Sequence, residues 1–207
     1  QYQWQEYHVL NPWMLTFQAF WWLYLLSHYV MEEFMLSTWD IIAERFGFML
    51  VWGDTVYVPF LYPLCGWFLA DDIWREFGLL GWLLVAFHLG AHYLFRVANW
   101  QKYAYKKMGK KARIWGKAPR LLENKLLISG FWGIGRHLNY TGEVLVYLSF
   151  ALCTGFEHIW PYLLPLSLLI LLTQRAWRDE KRCREKYGSL WAKYKQKARF
   201  IMFPFLY

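Results

Sequence analysis

Apolar residues in this chain run in blocks rather than alternate. Residues 7–31 contain no Asp, Glu, Lys or Arg, and a helix needs about 20 apolar residues to cross a hydrocarbon core. The pattern predicts a membrane helix there. Residues 46–70 are also apolar but include Gly53, Asp54, Pro59 and Pro63. Proline lacks an N–H donor and a lone carboxylate is costly in lipid. This segment is expected to be kinked, with Asp54 turned toward protein or water. Residues 77–95 form a clean uncharged span, and residues 142–173 are broken at Gly155 and Pro161. That break predicts two helices joined by a tight turn near Glu157. From 175 to 197, aromatic and basic residues mix in a pattern suited to an amphipathic helix on a membrane surface, interrupted at Gly188. The apolar runs do not alternate as barrel strands do, and only helices and closed barrels satisfy backbone groups in lipid. The expected fold class is all-α, a polytopic membrane helix bundle.

Composition narrows the picture. Of 207 residues, 57% are hydrophobic, 22% aromatic and 18% charged. Ordinary soluble domains are about 45–50% apolar and about 25% charged. Disorder is excluded, and a soluble globule is disfavoured because too little charge remains to cover its surface. Cys65, Cys153 and Cys183 form no CxxC motif, and no metal site is expected. The chain does not open with Met or with a signal-peptide pattern, which suggests a part or processed form of a longer protein.

Charge is divided by position. Residues 1–100 hold nine acids and three bases, whereas residues 101–207 hold six acids and twenty bases. The bases lie in 102–136 and 175–199, on either side of residues 144–174, whose one charge is Glu157. Two basic stretches around an apolar hairpin follow the positive-inside pattern and put both on a cytosolic face. Basic stretches with aromatics also occur in nucleic-acid binders, but these apolar runs are too long for such a domain. Membrane lipid is the expected partner and nucleic acid is not.

Three segments carry candidate chemistry. SGFWGIGRHLNYTGE (129–143) combines Gly130, Gly133 and Gly135, which permit close backbone approach, with Trp132, Arg136, His137, Asn139 and Tyr140. RAWRDEKRCREKYG (175–188), if helical, puts Arg175, Arg178, Asp179 and Arg182 on one face. NWQKYAYKK (99–107) places Lys102 and Lys106 four residues apart just outside a span. The residues read equally as three separate positive-inside anchors or as the walls of one anionic cofactor site.

At these motifs the chain resembles the C-terminal half of the sterol reductases, which include the delta-14 and 7-dehydrocholesterol enzymes and the lamin B receptor. The markers are DIIAERFGFMLVWGDTVYVPFLY, FRVANWQK, LLISGFWGIGRHLNYTGE, QRAWRDEKRCREKYG and the final FPFLY. IWGKAP is most like the 7-dehydrocholesterol branch. Gln174, Leu138 and Ser27 depart from the residues common in the family. The LNPR-bearing segment is not present, and Asn11-Pro12 does not restore it.

The resemblance implies a membrane-bound oxidoreductase that reduces a sterol double bond, delta-14 or delta-7, with NADPH held in a pocket at the cytosolic face. It implies two parts, residues 1–100 lining the sterol and residues 101–207 binding the cofactor. The implied cofactor contacts are Lys102, Lys106, Leu127, Trp132, Asn139, Tyr140, Asp179, Cys183, Arg184, Glu185, Lys186, Tyr187 and Tyr194. Arg136, Arg175 and Arg178 are added as phosphate counter-charges. An isolated alkene accepts hydride poorly, so protonation should come first. Tyr24 is the first candidate acid and Asp54 the second, with Glu32, Glu33 and Asp40 also in the apolar region. Isoprenylcysteine methyltransferases, which use S-adenosylmethionine, share a similar helix pair and loop, and a non-enzymatic receptor retaining the fold is a further alternative.

Overall fold

The computed structural model describes residues 1–37, 41 and 47–206. It is mostly helical, and the chain divides into two compact units, Gln1–Gly90 with Leu145–Ser167 and Ala91–Val144 with Leu168–Tyr207. Three long helices each contribute residues to both.

In the first unit, α1 (Tyr2–Tyr7) leads to α2 (Pro12–Val30). Asn11 starts α2: its Oδ1 accepts the Trp13 N–H at 2.6 Å, and Pro12 fills the first helical position, where no N–H is needed. The next stretch is helical but interrupted. α3 (Phe48–Trp52), a π turn (Gly53–Tyr57) that contains Asp54, and α4 (Val58–Leu61) are followed by α5 (Leu64–Ala70). Gln3 is buried and donates to Leu69 O at 2.8 Å, satisfying a carbonyl that the end of α5 leaves unpaired. Aromatic packing forms the core. Phe20 stacks on His88 at 3.7 Å, and Trp21 on Phe150 at 4.4 Å.

α6 (Gly78–Met108) has 31 residues. Two stretches among the described residues are long and apolar enough to cross a membrane, Phe48–Ala70 and Gly78–Lys111. Phe48, Leu79 and Trp82 stand on them with most of their surface exposed, as lipid-facing side chains would. α2 is long enough, but its Trp, Tyr, Gln and His residues lower its hydropathy. α7 (Leu138–Leu152) has 15 residues, about 22 Å at 1.5 Å per residue.

In the second unit, a two-residue antiparallel hairpin, β1 (Leu121–Leu122) and β2 (Leu126–Leu127), follows the basic loop. The hairpin leads into the glycine-rich segment and α7. α8 (Leu163–Tyr187) is one helix through both the apolar run and the basic motif. The sequence had suggested that a separate surface helix begins near Arg175, but no Gly or Pro stands there to stop the backbone. The break comes at Gly188, with φ 52°, before α9 (Ser189–Lys197). The C-terminal tail then returns to the glycine-rich loop. His137 N–H donates to Ile201 O at 2.8 Å, and Thr141 Oγ1 to Met202 O at 2.7 Å.

Candidate functional site

The second unit holds a cavity of about 270 Å³ with basic and aromatic walls. α6 supplies Lys102 and Lys106, the glycine-rich segment supplies Trp132, and α8 supplies Asp179 and Cys183. Leu127, Arg136, Tyr187 and Tyr194 complete the expected residues that line it. Lys125, His137 and Trp191 line it as well.

Local structure explains the convergence. Gln101 Oε1 accepts the Phe131 N–H at 2.9 Å, and Trp132 Nε1 donates to Ala98 O at 2.9 Å. The loop is thereby tied to α6, and the Lys102 ammonium stands 5.2 Å from the Trp132 ring. Tyr194 Oη donates to Trp132 O at 3.0 Å, which ties α9 to the same loop. A Cβ at Gly142 would stand 2.5 Å from Phe95 N, so the start of α7 lies directly against the α6 backbone.

The electrostatics are lopsided, with Lys102, Lys106, Lys125 and Arg136 set against one carboxylate, Asp179. Burial pushes the Asp179 carboxyl above its usual range, partly offset by Lys102. Burial pushes the His137 imidazole down to about 3, so it is neutral at physiological pH. Its Nε2 lies 4.0 Å from Asp179 Oδ2, too far for a hydrogen bond, and is buried without a hydrogen-bond partner among the described residues. Asn139 Nδ2 donates to Asn99 Oδ1 at 3.1 Å, while its own Oδ1 is buried without one. Burial raises the Cys183 thiol to about 12 and pushes the Tyr194 phenol up; neither is an ionised nucleophile near neutral pH.

Other expected residues stand elsewhere. The Arg136 guanidinium is committed: its Nε donates to Glu180 Oε1 at 2.5 Å and its Nη1 to Ala198 O at 2.6 Å. Arg178, Arg184, Glu185 and Lys186 are exposed on α8, and Arg175 and Tyr140 are half-buried outside the cavity lining. Glu180 was not expected from sequence, because its partner lies 44 residues away.

The candidate acids belong to the first unit. Tyr24 joins a chain of phenols in which Tyr147 Oη lies 3.1 Å from Tyr24 Oη and 2.8 Å from Tyr62 Oη. Tyr147 is 1% exposed. Tyr62 lines a groove of about 820 Å³ whose other walls include Phe17, Trp21, Leu25, Val58 and Trp67. Asp54, Glu32 and Glu33 are exposed, and Asp40 lies outside the described residues. Sequence reasoning missed Tyr62 and Tyr147. The available signal was a hydroxyl within an apolar run.

A profile of the Ergosterol biosynthesis ERG4/ERG24 family matches residues 1–207. The chain is 44% identical over 199 residues to a Delta(14)-sterol reductase of Arabidopsis thaliana, covering 96% of this chain and 53% of that protein. It is 36% identical over 197 residues to the 7-dehydrocholesterol reductase of Xenopus laevis, covering 89% and 42%. It is 36% identical over 203 residues to a Delta(14)-sterol reductase of Methylotuvimicrobium alcaliphilum, covering 94% and 45%. The chain thus spans about half the length of these relatives. With its glycine-rich loop, basic α8 and phenol chain described and the match running from end to end, the chain belongs to the Ergosterol biosynthesis ERG4/ERG24 family.

Proposed function

We propose that the full-length protein is a multi-pass membrane enzyme that reduces a ring double bond of a sterol, delta-14 or delta-7, with NADPH bound at the cytosolic face. The names of the relatives motivate the substrate. One observation carries the cofactor reading: Lys102, Trp132 and Asp179, from three separate segments, surround one cationic cavity. The residues fit a dinucleotide, since three lysines line the cavity and His137 Nε2, on its wall, is buried with no hydrogen-bond partner among the described residues. The cavity has room for one part of that ligand, as whole-ligand pockets run about 300–1,000 Å³.

In this reading Lys102 and Lys106 neutralise phosphate charge and Trp132 presents a stacking face. Asp179 and Asn139 accept hydrogen bonds from amide or ribose groups, and Leu127, Cys183, Tyr187 and Tyr194 shape the wall. Arg136 positions the loop from behind through Glu180. Tyr140, Arg175, Arg178, Arg184, Glu185 and Lys186 belong to an outer rim. When bound, NADPH supplies the hydride that quenches a carbocation. The groove of the first unit suits the sterol, being apolar and within the size range of ligand pockets.

Protonation breaks the alkene π bond and leaves the cation. Tyr24 is the first candidate donor, and its phenol does not stand alone. Tyr147 has one hydroxyl proton, so it donates to one neighbour and accepts from the other. A proton given up by Tyr24 is replaced from Tyr147, and that of Tyr147 from Tyr62, which is left as the phenolate, so the chain must regain one proton in each turnover. The Trp21 and Tyr62 rings bordering the groove present π faces that stabilise a nearby cation.

The test uses purified full-length protein with a panel of sterols that differ in alkene position, reading NADPH consumption and product mass. NADPH loss is expected only with an unsaturated sterol. Lys102→Ala should raise the NADPH KM about tenfold, as a charged hydrogen bond contributes about 1.5–3 kcal/mol, whereas exposed Arg178→Ala should change it little. Tyr24→Phe and Tyr147→Phe should lower kcat about 100-fold at unchanged cofactor affinity, the size of a general-acid contribution. Sterol-independent NADPH loss, or full turnover in both tyrosine variants, refutes the reading.

A further inference from the structure

Residues 102–120 carry eight cations and no carboxylate. α6 ends at Met108, and a short 3-10 turn carries the helical stretch on to Lys111. The chain then turns tightly. Ile114 N–H donates to Lys117 O at 2.8 Å, and Lys117 N–H to Ile114 O at 3.1 Å. The two central residues, Trp115 and Gly116, have φ of 49° and 76°. That is the sign pattern of a type I′ turn, which favours Asn, Asp or Gly at both positions. Gly116 suits it and Trp115 does not: a bulky side chain at positive φ is strained, and such strain clusters at functional positions. The arrangement fixes an indole at the surface. Trp115 is 53% exposed, with its ring set edgewise on Phe131 at 5.2 Å and 81°. Phe131 is itself tethered to α6 through Gln101.

Beside this indole lies a cavity of about 660 Å³ that shares no lining residue with the one around Trp132. Lys117, Arg120 and Ser129 supply its polar groups, and Trp115 and Ile134 its apolar edge. Among the described residues, neither the Lys117 ammonium nor the Arg120 guanidinium has a carboxylate or hydrogen-bond acceptor as partner. Ser129 Oγ accepts the Arg120 backbone N–H at 3.2 Å, so its own proton is left to donate. Two cations and a hydroxyl form the chemistry of a phosphate site. A freely dissolved phosphate has no use for an exposed indole and the exposed Ile134. Those are the side chains of a membrane interface, and the loop follows a helix with an apolar part long enough to cross a membrane.

We infer that this cavity binds the phosphodiester headgroup of an anionic phospholipid. Lys117, Arg120 and Ser129 hold the phosphate oxygens, and Trp115 and Ile134 lie along the glycerol and the first acyl carbons. The test equilibrates the detergent-purified full-length protein with mixed phosphatidylglycerol and phosphatidylcholine, and reads retained lipid by native mass spectrometry. The unmodified protein should retain phosphatidylglycerol selectively. Lys117→Ala with Arg120→Ala should bind it about 30-fold more weakly, equivalent to about 1 kcal/mol for each juxtamembrane cation. Lys195→Ala with Lys197→Ala, removing two exposed cations of α9, should leave retention unchanged. Trp115→Asn keeps a residue that tolerates positive φ, so it should retain thermal stability yet lose lipid selectivity. Equal retention by the parent and the Lys117/Arg120 variant overturns the proposal. Displacement of the lipid by millimolar inorganic phosphate assigns the cavity to a free anion and overturns it too, and displacement by NADPH does so in favour of the cofactor.

Discussion

Arg136→Ala removes one of the connections between the glycine-rich loop and the C-terminal tail. The guanidinium is 4% exposed, bonds Glu180 through Nε, and reaches Ala198 O and Arg199 O through Nη1. Glu180 is 8% exposed, and its other oxygen lies 3.4 Å from Trp191 Nε1. Losing the arginine leaves a buried carboxylate without its counter-charge, at about 3–5 kcal/mol. At about 2–4 °C per kcal/mol for a chain of this size, the apparent Tm should fall by about 10 °C. The assay is thermal unfolding of the detergent-solubilised protein, followed by tryptophan fluorescence at one scan rate. Glu180→Ala should also destabilise, because it leaves a buried guanidinium with only carbonyl acceptors. The double variant leaves neither charge uncompensated, so its loss should fall short of the sum by about 2–3 kcal/mol. Strict additivity of the two losses would refute the claim that these charges compensate each other.

Two further outcomes follow from burial and close packing. Because native His137 titrates near 3 rather than 6.5, the unfolded chain takes up this proton first as pH falls. The stability tied to it is complete above about pH 6.5 and is lost between there and about pH 3, at about 1.4 kcal/mol per pH unit. His137→Gln should flatten that part of a stability–pH curve, and an unaltered slope would show that the imidazole is not buried as described. Gly142→Ala should destabilise by about 1–3 kcal/mol, although alanine is the better helix former by about 1 kcal/mol. The added Cβ would meet Phe95 backbone atoms at 2.5 and 2.7 Å, which do not yield as a side chain does. A variant of equal thermal stability would refute the close approach of α6 and α7.

The breaks in the chain were legible because they are local. Pro63, Gly155, Pro161 and Gly188 act through a missing N–H or an accessible positive φ, whatever surrounds them. Helix ends set by environment were not. The sequence changes from apolar to basic near Arg175, but α8 continues to Tyr187 because a change of surroundings does not break backbone hydrogen bonds. α6 likewise runs on past Arg96 to Met108. Glycine spacing and the arginine-rich motif pointed to segments that line one cavity, without showing which cations were available. Arg136 was expected to meet phosphate, and its guanidinium is instead held by Glu180 and the tail carbonyls.

The amino-acid order alone determined the mostly helical, lipid-suited character of the chain, the placing of its interruptions and the gathering of cations in the second half. These follow from residue type and near-neighbour spacing. Tertiary structure alone decided that Tyr24, Tyr62 and Tyr147 share hydrogen bonds across separations of 85 and 123 residues, and that Lys117 and Arg120 stay unpaired among the described residues beside a strained indole. A hydrogen bond or ion pair depends on distances of a few ångströms in space, and separation along the chain carries no record of them.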